Sequence, residues 1–221
     1  LCVTEFYTAT RHTVLNERNF YGIVSVFEHP VKIDGKDVTA RYMRHGTTVH
    51  GYQILDPKYE TTLTSYYGKD GPLGDVFAHF HPHNIAVVGL GTGTVNCYGA
   101  PDNKLTFIDI DAAVVKIARE QFTYLSKCHA GKPTRIIIGD GRLELARLKG
   151  EKFDLILLDA FSSDAIPTHL MTEEALRSYL ERLTPNGVIL LHISNRFFKL
   201  ERILAATVAA VRLQNKYDFA Q

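Results

Sequence analysis

Five short apolar runs between residues 84 and 194 constrain the fold of this chain more than any other feature. They alternate with segments in which apolar residues recur every three or four positions. The runs read NIAVVGL, KLTFIDI, TRIIIGD, FDLILLDA and GVILLHIS, and Gly, Pro, Asn and Asp bound them. Runs that are apolar on both faces and alternate with helices predict a parallel sheet covered on both sides. We therefore expect a doubly wound α/β domain over residues 84–221.

The segments between these runs predict three helices. They read DAAVVKIAREQFTYL, GRLELARL and TEEALRSYLERL. Thr172, shortly before Glu174, is typical of a helix start, and the sequence Pro185, Asn186, Gly187 predicts where that helix ends.

Residues 1–83 contain no helical periodicity of comparable strength. Apolar and aromatic runs flank the pair Asp34 and Gly35 within FYGIVSVFEHPVKIDGKDVTARYMR. Asp-Gly between two such runs is a strong hairpin signal. The sequence therefore predicts a small antiparallel β element and a connector over residues 1–83, ahead of the α/β domain.

Composition excludes several function classes. The 25 basic and 24 acidic residues are interspersed and give a net charge of +1, so no nucleic-acid partner is expected. Three cysteines without C-x-x-C spacing argue against a disulfide framework and a zinc site, and favour a reducing, cytoplasmic location. No metal is expected at HFHPH, which is better explained as a connector. Because the chain opens at Leu1, we expect a piece of a longer protein, with further C-terminal strands beyond it.

A glycine-rich turn follows the first run and predicts a nucleoside site. Glycines of such a turn leave backbone N–H groups facing a ligand. Asp109 stands 20 positions after Gly89, a separation at which a carboxylate meets a ribose diol. Thr94 replaces the third glycine of a dinucleotide fingerprint, and Asp140, followed by Gly141, suits an adenine amino group. These features favour an adenosyl ligand such as S-adenosylmethionine; NAD and a purely structural turn are the alternatives.

Two further carboxylates follow the fourth run, in LLDAFSSDAIP. Asp159 and Asp164 are placed to hold a cationic amine and to accept its proton when the nitrogen attacks an electrophilic carbon. The alternative is that one of them caps the next helix and the other is a solvated loop residue.

Several motifs together resemble a known family. VVGLGTGT, FIDID, IGDG and LLDAFSSDAIP, in this order, resemble the spermidine synthases, the polyamine aminopropyltransferases. RNFYGIVSV, HGTTVHGYQ, TSYYG and DAFSSDAIPTHLMT look like the spermidine-synthase-like domain that some bacterial proteins fuse to membrane segments. The resemblance implies a Rossmann-like S-adenosylmethionine methyltransferase fold and a homodimer. It also implies transfer of an aminopropyl group from decarboxylated S-adenosylmethionine to a putrescine-like amine, without a metal.

The resemblance also implies roles for individual residues. Asp159 would deprotonate the attacking amine and Asp164 would anchor it. Three further residues would lie near the amine, namely Gln53, Tyr66 and Tyr67. The nucleoside would be bound by the glycine turn and by the ends of the next two strands, namely Gly89, Gly91, Thr92, Gly93, Asp109, Asp140 and Gly141.

Thr92 is a departure from the family pattern. The usual loop reads G-G-G-D-G-G, and its aspartate holds the ammonium of the aminopropyl donor. A neutral hydroxyl cannot make the same charge-assisted contact. Two other functions therefore stay open at this point: an S-adenosylmethionine-dependent methyltransferase of small molecules, and a catalytically degenerate domain that senses a nucleoside or a polyamine.

Overall fold

A computed structural model describes residues 12–160, 168–193 and 200–215, with side chains up to residue 211. The chain divides into two compact units, each built from more than one segment. One unit holds the described part of 1–81 together with 91–101 and 111–134; the other holds 82–90, 102–110 and the described residues from 135 onward. The predicted boundary between residues 83 and 84 stays a prediction, since the compact units do not follow a single cut.

The described residues of the first unit include an antiparallel sheet of four strands. The strands are β1 (His12–Asn19), β2 (Gly22–Ile33), β3 (Lys36–His45) and β4 (Thr48–Ile54), and they lie in sequence order. Ile33 pairs with Lys36 across the turn, where Asp34 and Gly35 have φ of 51° and 76°. Positive φ at both central residues is what a two-residue hairpin turn requires. The predicted hairpin and the predicted antiparallel element are both confirmed.

The described residues of the first unit also form three α-helices: α1 (Pro72–Phe80), α2 (Ala112–Gln121) and α3 (Tyr124–Lys127). The sequence predicts one continuous helix in place of α2 and α3, and this is wrong. The Thr123 N–H donates to Gln53 Oε1 over 3.1 Å, and Gln53 Nε2 donates to the Thr123 hydroxyl over 2.6 Å. Gln53, on β4, accepts the hydrogen bond of the Thr123 N–H, so this N–H cannot donate to a carbonyl of the preceding helical turn. The helix is therefore interrupted at Thr123.

The structure also corrects the expectation about cysteines. Cys97 lies in a 3₁₀ helix, Thr94–Tyr98, and Cys128 directly follows α3. The two are joined in a disulfide, with their Cα atoms 4.7 Å apart. The two cysteines are 31 residues apart, and a separation of this kind does not indicate a disulfide in the sequence. They become neighbours only because the fold brings the end of α3 next to the 3₁₀ helix.

A parallel sheet of five strands forms the second unit. Its strands are β5 (Asn84–Val88), β6 (Lys104–Asp109), β7 (Arg135–Ile138), β8 (Phe153–Leu158) and β9 (Leu183–Leu191). They lie in the order β7-β6-β5-β8-β9, and every neighbouring pair is parallel. Ile85, Phe107 and Leu155 are fully buried, as strands covered on both faces require. The predicted doubly wound class is confirmed.

The helices of the second unit are α4 (Gly141–Arg147), α5 (Glu173–Leu180) and α6 (Leu200–Asn215), and α5 packs against both of the others. Thr172 caps α5, its hydroxyl accepting from the Ala175 N–H, as predicted. The predicted end at Pro185 is wrong, because α5 ends at Leu180 and β9 already begins at Leu183. Proline is tolerated there because, among the described residues, β9 is the edge strand of the sheet, and its register with β8 shifts between Leu183 and Val188.

No helix among residues 12–160, 168–193 and 200–215 is both long and apolar enough to cross a bilayer. Attachment to a membrane segment, a cytoplasmic location and a homodimer stay predictions.

Candidate functional site

Strand order reverses in the sheet between β5 and β8. The chain runs outward from β5 through β6 to β7, and then returns to the other side of β5 to form β8 and β9. Ligands of such sheets bind outside the carboxyl ends of the strands at this reversal. Gly89 directly follows β5 and Asp159 directly follows β8. The two residues therefore lie where a ligand site is expected.

Gly89 allows the ends of β5 and β8 to approach each other closely. Its φ is +101°, and a Cβ atom built on it would lie 2.2 Å from the carbonyl oxygen of Asp159. The Asp159 N–H donates to the Val88 carbonyl over 2.8 Å. Only glycine satisfies both the dihedral angle and this contact, so residue 89 determines where the Asp159 backbone can sit.

Asp109 is bound to the glycine turn through its side chain. Its Oδ2 accepts the N–H of Leu90 over 2.8 Å, and its own carbonyl accepts the N–H of Gly139 over 2.9 Å. The end of β6 therefore ties the start of the turn to the residue that follows β7. Binding of a ribose by Asp109 stays a prediction.

Asp140 caps helix α4 and contacts a histidine. Its Oδ1 accepts the N–H of Leu143 over 2.9 Å, and its Oδ2 lies 2.9 Å from Nε2 of His169. A Cβ atom on Gly141 would lie 2.3 Å from Cγ1 of Val88, so helix α4 packs directly on β5. The sequence argument did not connect His169 with Asp140, although His169 lies in the quoted motif DAFSSDAIPTHLMT, 29 positions away. An adenine contact by Asp140 and Gly141 stays a prediction.

Three apolar side chains beside these carboxylates are exposed to solvent. Ile110 follows Asp109, Ile138 ends β7 and Leu143 lies in the first turn of α4, and each is between 41% and 55% exposed. Apolar side chains beside a few polar groups are typical of the lining of a small-molecule site. The sequence argument missed them, although Ile110 and Leu143 stand one and three positions after the predicted carboxylates.

Asp159 forms a short contact with a second histidine. Its Oδ1 lies 2.6 Å from Nδ1 of His192, and the two side chains are only 4% and 21% exposed. His192 directly follows β9, and its N–H donates to the Leu158 carbonyl over 2.9 Å. The sequence argument missed this pair; the signal was a histidine at the end of the fifth apolar run, where a neighbouring strand also ends.

The rest of the glycine turn belongs to the first unit. Gly91 and Gly93 have φ of 52° and 86°. Thr92 is buried, and its hydroxyl lies 2.8 Å from the hydroxyl of Thr94. A Cβ atom on Gly51 would lie 2.7 Å from Oγ1 of Thr92, so this side chain packs closely on β4. Contact of these residues with a cofactor stays a prediction.

The residues predicted to lie near an amine differ in accessibility. Gln53 is buried, and besides its bonds with Thr123 its Nε2 donates to the Glu60 carbonyl over 2.7 Å. Tyr67 is buried and Tyr66 exposed, with their hydroxyl oxygens 2.8 Å apart. Tyr66 is therefore the one of the three whose side chain reaches solvent. Asp164 lies outside the described residues.

Nothing in the described ranges groups three His, Cys, Asp or Glu side chains in a way that could hold a metal ion. Within HFHPH, Nδ1 of His79 lies 2.8 Å from the Asp75 carbonyl, and Nδ1 of His83 lies 3.3 Å from Asp102.

A parallel sheet in this strand order, with a glycine turn and carboxylates at its carboxyl edge, defines a Rossmann-like α/β protein. Residues 74–219 match the family model of the spermine/spermidine synthase domain. The chain belongs to this family.

Individual relatives agree with the family match. A polyamine aminopropyltransferase of Vibrio vulnificus is 32% identical over 197 residues, which cover 86% of this chain and 62% of that protein. A probable spermidine synthase of Corynebacterium glutamicum has a similar structure, with a TM-score of 0.60, 18% identity and coverage of 83% and 64%.

A spermidine synthase crystallised with the transition-state analogue AdoDATO gives a TM-score of 0.55 at 19% identity, covering 90% of this chain and 63% of that one. At these identities the structural likeness shows the fold alone. The chain spans less than two thirds of the length of each of these three proteins.

Proposed function

We propose that this chain is an aminopropyltransferase that moves an aminopropyl group from decarboxylated S-adenosylmethionine to a small amine, with Asp159 as the base. One observation carries the proposal. In a member of the spermine/spermidine synthase family, a nearly buried carboxylate follows β8 at the reversal of strand order, on a residue whose backbone lies against Gly89 of the glycine turn. The naming of the Vibrio vulnificus relative as a polyamine aminopropyltransferase supports the same reaction.

The proposed donor site uses the ends of β6 and β7. Asp109 would accept hydrogen bonds from the ribose hydroxyls, and Asp140 would accept one from the adenine amino group. The exposed side chains of Ile110, Ile138 and Leu143 would pack against the adenine ring. The AdoDATO complex of a related spermidine synthase supports an adenosyl ligand in this fold.

The proposed chemistry is a single displacement. The Asp159 carboxylate attracts the ammonium of the acceptor and accepts one of its protons, which frees the nitrogen lone pair. That pair forms a bond to the methylene carbon beside the sulfonium, the carbon–sulfur bond breaks, and its electron pair stays on sulfur as methylthioadenosine leaves. Asp164 is proposed as a second anchor for the cationic amine.

The first experiment compares Asp159→Asn with Asp154→Asn. Both variants replace an aspartate by asparagine. Asp154 lies near the start of β8, and Asp159 directly follows its end. Transfer from decarboxylated S-adenosylmethionine to a panel of diamines, followed by mass spectrometry, should fall by about 10²–10⁴-fold in Asp159→Asn and persist in Asp154→Asn. Unchanged transfer by Asp159→Asn to every diamine would refute Asp159 as the base.

Thr92 favours a second candidate, an S-adenosylmethionine-dependent methyltransferase. The donor of a methyltransferase keeps the methionine carboxylate, which an aspartate at this position would repel and a neutral threonine would not. Parallel calorimetric titrations with decarboxylated S-adenosylmethionine, S-adenosylmethionine and methylthioadenosine separate the candidates. Tightest binding of the decarboxylated donor supports the aminopropyltransferase. Tighter S-adenosylmethionine binding with methyl transfer supports the methyltransferase, and binding without turnover indicates a sensing domain.

A further inference from the structure

The pair Asp159 and His192 is built into the sheet itself. The Asp159 N–H donates to the carbonyl of Val88 on β5, and the His192 N–H donates to the carbonyl of Leu158 on β8. The parallel hydrogen-bond ladder thus continues one residue past the ends of β8 and β9. Both backbones are therefore fixed by strand pairing, and the 2.6 Å contact between the side chains follows from strand register.

The direction of the hydrogen bond follows from the chemistry of the two groups. An ionised carboxylate has only acceptors, so a contact of 2.6 Å to Oδ1 requires the proton to lie on Nδ1 of His192. A carboxylate that is only 4% exposed needs such a donor, because water can reach little of it. The imidazole therefore satisfies one oxygen of Asp159 and fixes the plane of the carboxylate.

We propose that His192 is a positioning residue for Asp159, which holds the carboxylate in the orientation that accepts a proton from the attacking amine. The inference rests on the proposed function, in which Asp159 is the base. His192 does not touch the amine or the donor in this scheme. Its loss should therefore reduce kcat and leave the KM for the amine and the affinity for the donor nearly unchanged, because proton transfer depends on orientation more than binding does.

The test compares His192→Ala, His192→Asn and His83→Ala. Asparagine carries an amide nitrogen at the position of Nδ1, so it can donate to Asp159 but cannot exchange a proton as imidazole does. His83 is the matched control, since it pairs with Asp102 at the opposite end of the sheet and both are exposed.

His192→Ala should lower kcat by about 10²-fold and leave the KM for the amine within about threefold of the wild-type value. His192→Asn should recover most of the loss, and His83→Ala should behave as wild type. Wild-type kcat in His192→Ala would overturn the proposal. Equal loss in the alanine and asparagine variants would also overturn it, because a hydrogen bond alone would then not account for the effect.

Two measurements distinguish failure of this inference from failure of the proposed function. In the double variant with Asp159→Asn, loss of His192 should cause no further decrease, because the histidine acts through Asp159. If Asp159→Asn itself retains transfer, the proposed function fails. If the wild-type protein transfers no aminopropyl group, the ¹⁵N resonances of His192 still test the pair. In the wild type these resonances should show a proton on Nδ1, and in Asp159→Ala that proton should no longer lie on Nδ1. Unchanged ¹⁵N resonances of His192 in that variant would overturn the pairing.

Discussion

Substitution of Gly89 by alanine should destabilise the protein through two separate effects. The first is conformational, because φ is +101° at this position and L residues with a side chain rarely adopt it. The second is steric, because the new Cβ would lie 2.2 Å from the Asp159 carbonyl oxygen and 2.8 Å from its carbonyl carbon. These are backbone atoms held by the pairing of β5 with β8, so they cannot move aside as a flexible side chain would.

Gly150 separates the two effects. Its φ is +91°, but a Cβ atom there would meet nothing within 4 Å. Gly150→Ala should therefore lower the free energy of unfolding only by the left-handed penalty of about 1–2 kcal/mol. Gly89→Ala adds the cost of overpacking, about 1–3 kcal/mol, so its total loss should be about 2–5 kcal/mol.

Urea unfolding followed by circular dichroism measures both variants against the wild type. The midpoint should fall in the order wild type, Gly150→Ala, Gly89→Ala, with the slope unchanged if the native compactness is retained. Donor titration should also weaken only in Gly89→Ala, since it displaces the end of β8. A Gly89→Ala protein that is no less stable than Gly150→Ala would refute the argument that the approach of the two strands requires glycine.

Two further predictions concern stability. Cys97→Ser should lower the free energy of unfolding by about 2–4 kcal/mol without reductant, and dithiothreitol should abolish its difference from wild type; a difference that persists in reductant would contradict the disulfide as its source. Burial alone would raise the pKa of the Asp154 carboxyl. Hydrogen bonds from the Asn84 N–H, the Thr184 hydroxyl and the His83 N–H outweigh this effect and hold the pKa below its ordinary value. Asp154→Asn should therefore lose about 1–2 kcal/mol at neutral pH. The wild-type advantage should be complete above about pH 4 and disappear as pH falls through the lowered pKa; equal loss in unfolding curves at neutral and acid pH would contradict it.

The strands were predictable from the sequence because their signal is local. A run that is apolar on both faces has no other stable environment than a covered sheet, so KLTFIDI and FDLILLDA indicate strands without knowledge of their neighbours. The break before α3 was not predictable, since it arises from Gln53, 70 positions away from Thr123. The end of α5 was missed because Pro185 is compatible with an edge strand as well as with a helix stop.

The candidate site was predictable only in part, for a similar reason. Asp109, Asp140 and Asp159 follow apolar runs, and parallel strands bring such positions to one edge of a sheet. The partners of these carboxylates depend on which strands and loops become neighbours. His169 and His192 lie 29 and 33 positions from the carboxylates they contact, so only the fold identifies them. The disulfide was missed on the same grounds.

The close approach of Gly89 to the Asp159 carbonyl limits how chains of this kind can diverge. A side chain at position 89 would push on the backbone that carries the carboxylate, so a change at either place has to be compensated at the other. An exposed residue such as Ile203, on α6, is under no such restriction and can be exchanged alone. In a lineage of these chains, surface residues can therefore change one at a time, whereas the close approach between the ends of β5 and β8 can change only through paired mutations.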